Sequence, residues 1–259
     1  MLIYDEGSVN PDAATALLRS YAGVHGARSA ANFDWALRRK LFDGVDLEGK
    51  TMLDIGCGNG RMGLWAAAHG ARRVVGLEPE VDGSSAGMQE SFRSTARRIG
   101  LQDSVELVTA RLQDYDPGHE RFDIVLLTAS INHLDEDACT RLHEDEQARQ
   151  IYRGHLRRLA QVAAPGAVLI VTDGDRRNLF ARLGVRNPLA PTIEWEKHQS
   201  PKLWARLLTD VGFEDPIVRW TTLNTLRSPG QALLGNRFCA YLLTSEFLLT
   251  MRRSSKRLD

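Results

Sequence analysis

Cysteine is scarce in this chain. Cys57, Cys139 and Cys239 are the three among 259 residues, and none stands at a spacing that pairs with another. That excludes a zinc ribbon and argues against a disulfide framework. Charge of one sign is also lacking: 33 Lys and Arg balance 33 Asp and Glu, so no net field draws the chain to nucleic acid or to an anionic membrane. Long apolar runs are missing, and stretches such as Ala163–Val171 fall well short of the roughly 20 residues that cross a bilayer. The opening Met-Leu-Ile-Tyr-Asp-Glu carries acid early and has no apolar signal core, so secretion is not expected. There is no internal repeat and no low-complexity linker. What remains is 43% hydrophobic and 25% charged, enough to bury a core. The expectation is one cytoplasmic domain over residues 1–259.

From Thr51 onward, short apolar runs alternate with amphipathic stretches. Met52–Ile55, Val74–Leu77, Val105–Val108, Ile124–Leu127 and Val168–Val171 read as strands. Arg61–His69, Gly87–Ile99, Arg149–Val162 and Pro201–Val211 read as helices, and Pro165-Gly166 reads as a turn before the fifth strand. Pro216–Leu223 and Phe238–Met251 are β-rich, with Ser228–Gly235 as a loop too short for a helix between them. These last two strands should therefore be antiparallel neighbours. The expected fold is α/β: a doubly wound, mainly parallel seven-stranded sheet ending in an antiparallel hairpin, with helices on both faces. Residues 1–50 form an N-terminal helical lead, with pieces around Asp12–Tyr21 and Ala30–Leu41. Residues 175–198 form an insertion expected at the carboxyl ends of the strands, where open α/β sheets bind ligands.

The strongest local signal is Leu53-Asp54-Ile55-Gly56-Cys57-Gly58-Asn59-Gly60. Its glycines permit a tight strand-to-helix turn and let a ligand approach bare backbone amides. A dinucleotide fingerprint needs a third small residue at position 61, and Arg61 stands there. The actual pattern is G-x-G-x-G after an apolar run and an aspartate. Over roughly residues 50–175 the chain resembles the class I methyltransferases that use S-adenosylmethionine, and specifically their small-molecule branch.

That resemblance implies the cofactor, with S-adenosylhomocysteine as product, and a set of residues to hold it. Asp54, Gly56, Cys57, Gly58 and Gly60 match the first motif. Glu78, followed by Pro79, sits where the family's acid accepts hydrogen bonds from both ribose hydroxyls. Arg111 and Leu112 resemble the segment flanking the adenine, while Ala110 replaces a common aspartate. Thr128 and Ala129, ending the fourth-strand motif, should lie near the methionine moiety.

The acceptor side is read from the residues beyond the fourth and fifth strands. His133, in Ser130-Ile131-Asn132-His133-Leu134, is the expected general base, because an imidazole titrates near working pH. The competing reading is a histidine packed at the start of the next helix. Asn132 is expected to position substrate. Residues 174–190 carry four Arg (176, 177, 182, 186) against Asp175, so Arg176 and Arg177 are candidates to hold an anion. Trp195 and His198, in a polar stretch bounded by prolines, are candidates for a pocket wall. Tyr21 and Trp35 are weaker candidates for a lid.

By elimination, the acceptor is expected to be a small molecule, with anionic character, methylated on oxygen. The acidic metal set of catechol-type members is missing, so no metal is expected. The Asn/Asp-Pro-Pro-aromatic tetrapeptide of nucleic-acid amino methylation is missing too, as are the paired glutamates of arginine methylation. Neither nucleic acid nor membrane is an expected partner. Two alternatives stay open: a cofactor-binding module of the same fold that transfers no methyl, and an N-methyltransferase of a small amine.

Overall fold

β1 (Thr51–Ile55) is buried at every position, which is why its sequence shows no alternation: both faces of a parallel central strand are covered. In the computed structural model, which describes residues 10–79 and 87–255, the chain divides into two compact units parted between Ala110 and Arg111.

In the first unit, β1, β2 (Arg73–Leu77) and β3 (Val105–Val108) pair in parallel in the order β3-β2-β1. α3 (Arg61–Ala68) follows β1, and α4 (Met88–Arg98) precedes β3. Met88, Phe92 and Ala96 recur every four residues along α4, and the structure buries Phe92 and Ala96. The lead forms α1 (Pro11–His25) and α2 (Ala27–Ala36). Asn10 caps α1 by accepting the Ala13 N–H at 3.0 Å, with Pro11 in the first turn. The lead is fastened to α3 through Trp65, whose indole N–H donates to Asp34 at 2.9 Å. The Trp65 ring stacks between Phe42 and His69.

In the second unit, β4 (Phe122–Thr128) and β5 (Ala163–Gly174) are parallel. β7 (Glu246–Arg253) runs antiparallel between β5 and β6 (Phe213–Trp220). The seven strands thus make a mainly parallel sheet ending in an antiparallel hairpin. α5 (Glu136–Arg141), α6 (Glu146–Val162) and α8 (Pro201–Thr209) surround the second unit's strands, with Tyr152 and Trp204 fully buried and in ring contact.

Three local expectations fail. Pro165-Gly166 lies inside β5, which starts at Ala163, because β4 and β5 are out of step between Phe122 and Ile124 and the irregularity absorbs the proline. Phe238 begins no strand. Asn236 accepts the Cys239 N–H at 3.0 Å and caps α10 (Arg237–Leu242), and Ser245, at φ 53°, turns the chain into β7. The supposed loop 228–235 is mostly α9 (Arg227–Leu234): eight residues of helix span only about 12 Å, so it fits the gap. The insertion 175–198 likewise contains α7 (Leu179–Leu183) and one 3-10 turn at Trp195–Lys197.

Candidate active site

In the first unit, the chain leaving β1 turns through Gly56, Gly58 and Gly60 at φ 69°, 55° and 72°, a region L side chains rarely adopt. The Gly56 and Cys57 N–H groups both donate to Leu77 O, at 2.9 and 3.0 Å, so the turn is laced to the end of β2. Gly58 N–H donates to Glu78 Oε2 at 2.7 Å. The acid at the end of β2 therefore meets the middle glycine. A Cβ on Gly60 would lie 1.9 Å from the Phe92 ring, whereas one on Gly58 would meet nothing within 4 Å. Gly60 is required by packing, and Gly58 presents bare backbone to open space.

Glu78 is held by Gln89, a residue the sequence reading missed. Gln89 Nε2 donates to Glu78 O at 2.9 Å, and its Oε1 accepts the Thr109 hydroxyl at 2.9 Å. Its only sequence signal is a polar side chain three positions before the buried Phe92 on α4. Pro79, half-buried, follows Glu78. Cys57 packs over Gly76, where a Cβ would come within 2.7 Å of its sulfur, and burial pushes its thiol far up. It stays protonated and serves the packing. Asp54 is buried, and its Oδ2 has no hydrogen-bond partner. Burial pushes its carboxyl up to about 7, opposed by a hydrogen bond from the Gly63 backbone and reinforced by the Glu78 charge. An accepting carboxylate beside the open space at Gly58 suits a ligand carrying ribose hydroxyls, so these residues fit S-adenosylmethionine. Tyr21 is stacked on Phe33 at 4.5 Å and covered by the Arg61 guanidinium at 4.9 Å.

The second unit begins with exposed Arg111 and buried Leu112. At the end of β4, the Thr128 hydroxyl is buried without a partner. Ala129 follows at φ 49°, a strained position for a residue with a Cβ, and its N–H donates to Thr172 O at 2.8 Å. Asn132 is buried, and its Oδ1 also lacks a partner. The Tyr152 hydroxyl lies 3.0 to 3.2 Å from the carbonyl oxygens of Ile131, Asn132 and Asp135. From α6, that one phenol anchors the whole segment after β4.

His133 occupies a 3-10 turn, with its side chain 51% exposed and Nδ1 2.7 Å from Glu136 Oε1. Glu136 also receives Lys197 Nζ at 2.8 Å. Those two partners hold its carboxyl below the usual range, Lys197 most strongly. The next residue, His198, is placed differently. Its Nδ1 lies 2.7 Å from Asp173 Oδ1, with side-chain exposures of 13% and 0%. Asp173 Oδ1 also accepts the Gly174 N–H at 2.8 Å, and Oδ2 is buried without a partner. Gln199 Nε2 donates to Cys139 O at 2.6 Å and Cys139 Sγ to Lys197 O at 3.2 Å, so α5 fixes this turn. Trp195 is half-buried in the same turn. Arg176 is turned to His143 and Gln199, while Arg177 lines a separate cavity. The Asp173 role went unseen because the sequence shows it only as a strand-end aspartate 25 residues from its partner. Among the described residues, no cluster of three His, Cys, Asp or Glu is arranged to hold a metal, and no helix is long and apolar enough to cross a membrane.

Residues 52–148 match the family model described as a methyltransferase domain. A ribosomal protein L11 methyltransferase from Aeromonas hydrophila is 31% identical over 159 residues, covering 61% of this chain and 42% of the relative. The chain thus spans about two fifths of that relative's length. Among solved structures, StiE O-MT residues 961–1257 superpose with TM-score 0.57 at 16% identity, over 98% of this chain and 84% of that one. The (4+2)-cyclase SpnF superposes with TM-score 0.56 at 19% identity, over 95% and 94%. These two likenesses concern the fold. The relatives overturn one expectation: several curated ones are named for a ribosomal protein, so the small-molecule acceptor, and with it the small-molecule branch, is corrected. Elimination of known motifs had left that class by default.

Proposed function

We propose that this chain, a member of the class I S-adenosylmethionine-dependent methyltransferases, moves a methyl group onto a nucleophilic side chain or terminus of a protein. The protein acceptor rests on the names of its curated relatives. When bound, S-adenosylmethionine supplies a methyl carbon already activated by its sulfonium. Gly56, Gly58, Glu78 and Gln89 hold and orient it, with Asp54 buried in the strand before the turn; Arg111, Leu112, Thr128 and Ala129 are cofactor candidates from the family resemblance alone.

The observation that carries the chemistry is the buried His198–Asp173 pair. A hydroxyl or protonated amine must lose its proton before it can attack a methyl carbon. The Asp173 carboxylate accepts the His198 Nδ1–H, which leaves the lone pair on Nε2 to take that proton and stabilises the imidazolium that forms. Asn132 positions the acceptor through its unpaired Oδ1. His133 is the second reading, favoured by its own carboxylate partner, Glu136.

The test is transfer of labelled methyl from S-adenosylmethionine to proteins of a cell extract, with wild type, His198→Ala and His133→Ala side by side. Loss of label with His198→Ala, while His133→Ala stays active, supports the buried pair. The opposite pattern transfers the role to His133, and no labelled protein with any form rejects the protein acceptor.

A further inference from the structure

A cavity of about 450 Å³ in the second unit is lined by neither His198 nor Asp173. It is lined by Asp175, Arg177, Trp220, Arg237, Phe238 and Tyr241. Asp175 directly follows β5, Trp220 ends β6, and Arg237, Phe238 and Tyr241 come from α10. β6 and β5 run in the same direction, since each is antiparallel to β7. The cavity therefore sits at the carboxyl edge of these strands, two residues beyond Asp173.

Its polar groups are unbalanced. Two guanidiniums line it, and neither makes a hydrogen bond or ion pair among the described residues. The one carboxylate is buried and has an oxygen, Oδ1, committed to the Arg177 backbone N–H at 3.0 Å. Asp175 offsets one of the two positive charges electrostatically, and the net positive charge that remains, next to aromatic faces, matches an oxyanion carried beside an apolar group. The rim is apolar and open. Phe238 is 69% exposed, unusual for a phenylalanine. Gln231 Nε2 donates to Trp220 O at 2.7 Å, which sets α9, with its exposed Leu233, against the Trp220 wall. Such a rim suits a segment longer than the cavity.

We infer that this cavity binds a carboxylate side chain, flanked by an apolar or aromatic residue, of an acidic polypeptide segment. The inference rests on the protein-acceptor reading and gives it a docking site. Arg177 and Arg237 form charge-assisted hydrogen bonds to the carboxylate. Trp220, Phe238 and Tyr241 enclose its apolar neighbour.

The test is titration of the full chain with a synthetic peptide carrying Asp-Phe-Glu and with its Asn-Phe-Gln counterpart, followed by fluorescence anisotropy. The acidic peptide should bind at least about tenfold more tightly than the neutral one. Arg237→Gln and Arg177→Gln should each erase most of that preference, and Arg237→Lys should restore part of it. Thermal melts and S-adenosylmethionine titrations on the same samples show that the variants are folded. Equal binding of both peptides, or a preference untouched by the arginine variants, overturns the inference. Phenylacetate displacing the peptide at equal concentration also overturns it, since the site would then serve a free anion. Labelled methyl reaching a protein while the peptides fail to bind separates failure here from failure of the functional reading.

Discussion

His198 and Asp173 meet at 2.7 Å, with the carboxylate fully buried and the imidazole nearly so. The chain brings them together across 25 residues that include α7 and two stretches without regular structure. An aspartate with one oxygen orphaned in the interior is costly. Its tie to the histidine and to the Gly174 N–H makes the position tolerable.

His198→Ala should lower kcat by about two to four orders of magnitude, with S-adenosylmethionine affinity nearly unchanged. Asp173→Asn should lower kcat less while leaving the melting temperature within a few degrees. Equal losses of cofactor affinity and turnover in His198→Ala would remove the base assignment.

Glu78→Ala should weaken S-adenosylmethionine by about tenfold or more, because the loop loses both an acceptor for ribose and the partner of Gly58 N–H. Calorimetric titration reads this directly. Unchanged affinity would count against the ribose contact.

Gly58→Ala and Gly60→Ala should separate conformational strain from steric clash. Both glycines have positive φ, so each alanine costs on the order of 1 kcal/mol for the left-handed backbone. Only Gly60→Ala also collides with Phe92. Urea denaturation should find Gly60→Ala the less stable of the two. Cofactor binding should suffer in Gly58→Ala, whose added methyl enters the open space beside Glu78.

Asp54 makes stability depend on pH. Its folded value is pushed up to about 7 from an ordinary 3.8, so between those limits the folded state keeps a proton that the unfolded chain has released. The contribution is fully present below the unfolded value and is lost as pH rises through the folded one. Across the window it amounts to a few kcal/mol in order of magnitude. Asp54→Asn should therefore gain on wild type as pH rises from about 5 to about 8. Parallel melting curves for the two proteins would refute this.

Tyr152→Phe should loosen the segment after β4 by removing the hydroxyl that faces three carbonyl oxygens. A stability loss of about 1 to 2 kcal/mol is expected, with faster amide exchange at 131–135.

The strands and the glycine turn were legible because their causes are local. Met52–Ile55 and Val74–Leu77 need only apolar side chains in short runs, and the turn after β1 needs glycine where φ is positive. The antiparallel β6–β7 pair was legible too, although α10 was misread as strand because Phe238-Cys239-Ala240-Tyr241-Leu242 has strand-like composition and its cap, Asn236, lies outside the run. By itself, the sequence determined the order of the strands and the glycine turn after β1, with an acid at the end of β2. Tertiary structure decided which histidine has a buried carboxylate, which asparagine and threonine oxygens are left unpaired, and where Arg177 and Arg237 share a cavity with Trp220. Periodicity records which face of an element is buried. It carries no record of which distant side chain closes over that face, because that choice is made by packing and hydrogen bonding across elements after each has formed.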